Sequence, residues 1–211
     1  AMELSHFGAK VLYPPTIQPV LEKEIPIVIK NTFDAKADGT LIAKVSSNTN
    51  PIKGISHIEN MTLITLEGSG MIGIPGFSKR LFGALSEQKI NVSLITQASS
   101  EHSICISIHN SDAEKAKLAI DSEFSYEIDQ HKVLPLMVEK NNAIIALVGD
   151  HMKSHQGISG KMFSTLGKNN VNIRAIAQGA SEKNISAVIA HKDIKKALNS
   201  LHSEFFEGQT K

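Results

Sequence analysis

The sequence contains one cysteine, no tryptophan and only two tyrosines among 211 residues. A lone thiol excludes a disulfide within the chain, so the usage points to a reducing, cytoplasmic compartment. Cys105 stands in an alternating apolar segment with Ile104, Ile106 and Ile108, which reads as a buried strand and not as a nucleophile. Net charge is nearly absent too: 22 basic and 21 acidic side chains leave +1. The lysines and arginines are dispersed, whereas nucleic acid asks for a basic face, so no nucleic-acid partner is expected. No apolar run approaches the ~20 residues of a membrane span, and no signal peptide opens the chain, so no membrane partner is expected either. Ala1 ahead of Met2 reads as a cloning remnant. What is present is ordinary for a globular protein: 41% apolar residues and enough length for one large or two small domains.

The chain contains one unit written twice. Residues 61–108 align with residues 142–189 at a constant offset of 81, without gaps. Identical pairs include Gly68/Gly149, Met71/Met152, Gly76/Gly157, Phe82/Phe163, Leu85/Leu166, Asn91/Asn172, Gln97/Gln178 and Ser100-Glu101/Ser181-Glu182. Two copies are too few for a solenoid, so a pair of related small domains is expected.

Each copy reads β-α-β-β. In the first, Met61–Glu67 is a strand. The glycine-rich stretch Gly68–Gly76 permits a tight loop, and Phe77, Leu81, Phe82 and Leu85 recur at helical spacing. Ile90–Thr96 and Ser103–Ile108 are two further strands. Ser111 or Asp112 can cap a helix over Ala113–Phe124, and Lys132–Val138 reads as a fourth strand. That completes a ferredoxin-like β-α-β-β-α-β unit. The second copy has its helix, capped by Asp193, but no fourth strand. The orphan Thr40–Val45 is expected to supply it, which inserts the first module into the second. The expected class is α+β, with one module over 52–139 and the other over 40–46 and 140–206. Both should pair with a second chain, because a sheet with one open face needs cover.

Residues 1–39 are too few for a core of their own. A helix over Leu4–Leu12, a break at Tyr13-Pro14-Pro15, a helix over Thr16–Lys23, a strand over Ile25–Lys30 and a turn over Asp34–Gly39 are expected. They look like the edge of a larger domain.

Here the residues resemble a known family. Phe7–Ile17 (FGAKVLYPPTI) resembles the closing segment of an aspartate kinase catalytic domain, with Tyr13 where the family usually has His. Ile27–Phe33, followed by Gly39-Thr40, resembles that domain's exit. The two repeats resemble the paired ACT modules that follow it. Leu94–Ile104 (LITQASSEHSI) and Ala175–Ser186 (AIAQGASEKNIS) look most like the threonine-inhibited bifunctional aspartate kinase–homoserine dehydrogenases. The resemblance implies a regulatory region whose parent uses ATP and Mg, and NADP if the dehydrogenase is fused. It implies a homodimer or higher homo-oligomer. Lys10 matches a lysine that contacts nucleotide in related kinases. The kinase's Lys-Phe-Gly-Gly segment and a GxGxxG in strand-turn-helix context are both missing, so this stretch is expected to be catalytically silent with no cofactor of its own.

A free amino acid presents a carboxylate, which wants N–H donors, and an ammonium, which wants carbonyl oxygens. A glycine-rich loop entering a helix supplies the donors. The expected effector site is therefore Met71, Ile72, Gly73, Ile74, Gly76 and Phe77, with Asn91, Val92 and Ser93 at the next strand's start, and Gln97, which both donates and accepts. Gly157, Asn172, Ile173 and Gln178 mark the corresponding place in the second copy. Asn91 and Asn172 also read as turn residues, and the glutamines as strand ends. Related lysine-inhibited kinases carry Asp where this chain has Ser93, and a carboxylate there would hold a cationic ligand. Ser93 favours a small neutral ligand, threonine. His151 and His155 have a metal spacing but no third ligand, so no metal is expected. Glu101 and Glu182 read as turn residues.

Overall fold

In the structure, a computed structural model, residues 4–5, 12–43, 50–97, 102–150, 152, 155–179 and 183–207 are described. In chain order the elements are α1 (Pro14–Glu22), β1 (Ile27–Ile29), β2 (Thr40–Ile42), β3 (Ile52–Glu67), α2 (Phe77–Glu87), β4 (Val92–Gln97) and β5 (Ser103–His109). They continue as α3 (Ala113–Glu123), α4 (Ser125–Asp129), β6 (Met137–Gly149), α5 (Ile158–Lys168), β7 (Ile173–Gln178), β8 (Asn184–Ala190) and α6 (Ile194–His202), which ends in a π-helical turn, Ser203–Glu207.

Strands β3 and β6 are long because each serves two modules. The sheet order is β4-β5-β3-β6-β8-β7, antiparallel throughout. Residues 61–67 of β3 pair with β5, and residues 63–65 also face residues 137–139 of β6. Residues 52–58 of β3 instead pair with residues 144–149 of β6, whose other side carries β8. The second module's fourth strand is thus the first half of β3. The orphan strand expected to fill that place does not: Thr40, Leu41 and Ile42 pair with Ile29, Val28 and Ile27 in a separate two-stranded sheet. The physical reason is proximity along the chain. Residues 30–39 bring β2 back onto β1, and residues 52–58 belong to β3 itself and already occupy the edge. The first module's fourth strand is likewise displaced from 132–138 to the start of β6, since Pro135 has no N–H for a ladder. Val133 and Leu136 still fill the first core.

The 81-residue repeat therefore reaches further back than its identities show. Ile52 and Ile55 fill the second core where Val133 and Leu136 fill the first. Asn60 and Asn141 both take a left-handed backbone, φ 59° and 62°. Each copy begins with a long strand, bends at its asparagine, and lends the half before the bend to the other copy's sheet.

Helices cover one face of each sheet. In α2, Phe77, Leu81 and Leu85 repeat every four residues and are buried, each contributing roughly 1.5–3 kcal/mol relative to exposure. They join Ile64, Leu66, Ile104, Ile106, Ile108, Ile120 and Phe124 in the first core. Met162, Leu166, Ala197, Leu201 and Phe205 do the same for the second. The expected caps are not made: neither Asp112 nor Asp193 accepts a capping hydrogen bond. A 3-10 turn leads into each helix, and Asp193 pairs with Lys196 at 3.1 Å.

The sheets' other faces cover one another within the chain. Met61, Leu63 and Leu94 pack on Ile144, Ala146, Val148, Ala175 and Val188 in a third cluster, the seam. Residues 142–149 are consequently buried on both sides, and Ala143–Val148 reads as an unbroken apolar run instead of alternating. The sheet folds back far enough that its outermost strands, β4 and β7, touch.

At the N-terminal end, α1 starts at Pro14, its missing N–H costing nothing in a first turn. The helix expected over 4–12 lies largely outside the described residues, as does Lys10. The β1–β2 hairpin leaves Val28, Leu41 and Phe33 exposed.

Candidate functional site between the two modules

A cavity of about 740 Å³ opens where β4 meets β7. Ser93, Leu94, Ile95, Thr96 and Gln97 line it from the first module. Ile176, Ala177, Gln178, Gly179, Asn184 and Ser186 line it from the second. Gln97 and Gln178, equivalent in the repeat, share this one space. Among the described residues no charged side chain lines it. Among the described residues β4 pairs only with β5 and β7 only with β8, so the outer edges of both strands present backbone N–H and C=O groups to the cavity. Ser93 and Arg174 are also equivalent, and each falls at a register shift in its edge strand. Such bulges re-aim a side chain. Ser93 lines the cavity, while Arg174 reaches Glu139 at 3.2 Å.

The sequence-derived candidates are divided by the structure. Ser93, Gln97 and Gln178 come together in the cavity. Met71 and Phe77 are buried in the first core, and Phe77 stacks on Phe124 at 5.5 Å. Val92 and Ile173 pack against the cores of their modules. Ile72 and Ile74 are exposed, while Gly73, Gly76 and Gly157 hold φ of 65°, 100° and 84°. Gly76 and Gly157 thereby start α2 and α5, and Asn91 and Asn172 are exposed, each directly ahead of a strand. The glycine-loop end of the second module reaches the cavity through Ser159, whose hydroxyl donates to Gln178 Oε1 at 3.2 Å. Lining residues the sequence did not single out include the polar Thr96, Asn184 and Ser186 and the apolar Ile95 and Ile176. Their only signal was position in strands now seen to face each other. His151, Glu101 and Glu182 lie outside the described residues, and no cluster of three metal-binding side chains occurs among the described ones.

Behind the cavity the seam is polar in two places. Cys105 accepts a hydrogen bond from Thr65 Oγ1 at 3.3 Å. Burial pushes its thiol above the ordinary value; that hydrogen bond works against the shift and the charge of Glu139 adds to it. Ser107, opposite Leu94, is fully buried with its hydroxyl unpartnered. A smaller groove of about 330 Å³, beside Ile55, Leu198, Asn199, His202 and Phe206, is mostly apolar.

The module geometry has a match. The family model described as ACT domain fits residues 64–124 and 145–205, more than half of the sequence. The chain belongs to the ACT domain family. It carries two ACT modules, and both matches run from the bend side of a long strand to the helix that closes the module. Over its whole length it is 42% identical to the bifunctional aspartokinase/homoserine dehydrogenase 2, chloroplastic, of Arabidopsis thaliana, covering 24% of that protein. The chain thus spans about a quarter of the length of the curated relatives it matches. Among solved structures it is similar to Clostridium acetobutylicum aspartate kinase, at 31% identity and TM-score 0.85, covering 96% of this chain and 46% of that one. It is also similar to E. coli aspartokinase III in complex with lysine and aspartate, at 29% identity and TM-score 0.75, covering 97% and 44%. No helix among the described residues is long and apolar enough to cross a membrane.

Proposed function

We propose that this ACT pair is the allosteric regulatory region of an aspartate kinase and binds threonine as a feedback inhibitor in the cavity between β4 and β7. The observation that carries the reading is the cavity's lining: two repeat-related glutamines, hydroxyls and strand-edge backbone, with no charged group among the described residues. The strand edges offer N–H donors to a ligand carboxylate and carbonyl oxygens to its ammonium. Gln97 and Gln178 each offer a donor and an acceptor, suited to a hydroxyl. E. coli aspartokinase III is described in complex with lysine. Here a cationic side chain would meet no carboxylate partner among the described lining residues, so a small neutral ligand fits better.

The parent, on this proposal, phosphorylates aspartate with ATP and Mg and is fused to an NADP-dependent homoserine dehydrogenase, in line with the names of its relatives. The hairpin's exposed apolar residues then face the kinase domain. The proposal includes a homodimer. Sedimentation at tens of micromolar should show that dimer, and a monomer there would refute it.

Titration calorimetry with threonine, lysine and methionine tests the effector. Threonine should bind, and Gln97→Ala should weaken it by roughly two- to tenfold, because Gln97 is exposed in the free chain and a hydrogen bond from such a group nets about 0.5–1.5 kcal/mol. Gln178→Ala asks whether the second module contributes. Unchanged threonine affinity in a folded Gln97→Ala protein refutes the site, and tighter binding of lysine refutes the specificity.

A further inference from the structure

We propose that the Arg174–Glu139 ion pair is a latch between the modules that holds the effector cavity in its binding-competent shape. The inference rests on the reading of the cavity as an effector site and adds how that site is regulated. Glu139 lies opposite Leu63 on the first module's fourth strand, so it is on the seam face. Arg174 belongs to the second module's outermost strand, at the bulge between Ile173 and Ala175. Their 3.2 Å contact crosses from one module to the other, and neither residue lines the cavity.

The modules are also joined by the apolar seam and by the two long strands, each bent at a left-handed asparagine, with register shifts between Ile58 and Leu63. Asparagine tolerates that backbone, and a bulge relaxes the ladder there. The bends are thus the pliable axis of the pair. The cavity lies at the far edges of the sheet, β4 and β7, where a small change of angle about the bends moves the two walls most. A ligand touching both walls favours the closed arrangement, and so does the latch. Either one raises the population that the other needs.

No charged side chain lines the cavity among the described residues and threonine carries no net charge, so direct binding should be nearly indifferent to salt. A latch is not: both its side chains are 39% exposed, and added salt screens them. Calorimetry on the whole chain at low and high salt, with hydrogen exchange on the ligand-free protein, tests this. In the wild type, high salt should weaken threonine binding by about two- to fivefold, the scale of an exposed ion pair. Arg174→Gln should show that loss already at low salt and no further salt dependence. The exchange-of-charge variant, Arg174→Glu with Glu139→Arg, should recover the wild-type behaviour. Gln97→Ala should bind weakly yet keep the salt dependence, which separates the site from the latch. Without ligand, Arg174→Gln should speed exchange in β4 and β7 at low salt. Wild-type affinity with unchanged β4 and β7 exchange in Arg174→Gln overturns the latch. If threonine fails to bind the wild type, the effector reading falls and the exchange result alone decides the latch.

Discussion

Removing the guanidinium of Arg80 should loosen the first module far more than the equivalent change loosens the second. Arg80, on α2, donates from Nε to Glu123 Oε1 at 2.7 Å and from Nη1 to Glu127 Oε1 at 2.5 Å. Its Nη2 reaches the Glu123 carbonyl at 2.7 Å and Glu127 Oε2 at 3.2 Å. The same group lies 4.5 Å from the Phe124 ring centroid and 5.7 Å from that of Phe77. One planar cation thus ties α2 to α3 and α4, which Arg does better than Lys because its fork binds two acceptors at once. In the second module Lys161 holds the matching place, 3.1 Å from the Glu204 carbonyl and carboxylate and 5.1 Å from the Phe205 centroid.

Arg80 is about one-third exposed, so each ion pair is discounted to ~0.2–1 kcal/mol. The ring contacts add ~0.5–1 kcal/mol. Arg80→Ala should therefore cost about 1–2.5 kcal/mol, Arg80→Lys about half of that, and Lys161→Ala under ~1 kcal/mol. Urea unfolding with a constant m-value measures each. The clamp holds the Glu127 carboxyl below its ordinary range, chiefly through the Arg80 hydrogen bond. A depressed carboxylate stabilises above its unfolded pKa, about 4.3. That contribution fades as pH falls through the lower folded value. The gap between wild type and Arg80→Ala should accordingly be full at pH 6–7, roughly, and narrow below about pH 4. A loss under ~0.5 kcal/mol, or no difference from Lys161→Ala, refutes the argument.

Gly68→Ala and Gly149→Ala should each cost roughly 1–3 kcal/mol or more, because the new methyl runs into the Lys132 carbonyl in one case and the Pro51 carbonyl and Met152 sulfur in the other. Thermal unfolding should show both well below Gly73→Ala, whose added methyl has nothing within 4 Å and which bears the penalty of its φ of 65°. Ser107→Ala should be neutral or stabilising by up to ~1 kcal/mol, since it deletes a buried hydroxyl that lacks a partner; a clear loss in denaturant midpoint would mean the hydroxyl is satisfied. Cys105 should react with a thiol reagent at pH 8 more slowly than a free thiol and speed up in denaturant, as burial raises its pKa.

The repeat and the module helices α2, α3, α5 and α6 were legible in the sequence because each depends on local pattern, whereas the short α4 was not foreseen. Phe77, Leu81 and Leu85 announce a helix face whatever lies opposite. Gly76 and Gly157 mark turns because their φ exceeds 80°, a backbone few other residues adopt. The partner of the second sheet was not legible in that way. Residues 52–60 and 133–141 share only their final asparagine, so identity could not show that they are equivalent. Thr40–Ile42 carries the same β-forming character as residues 52–58, and strand propensity names no partner. Pairing was decided by what each segment lies beside once the chain has turned. The cavity has the same origin. Sequence alone singled out Gln97 and Gln178 as a related pair 81 residues apart. That they share one space follows only from two bends that fold the open faces of the sheet together, because burying Leu63, Leu94, Ile144 and Val188 against one another removes both faces from water at once.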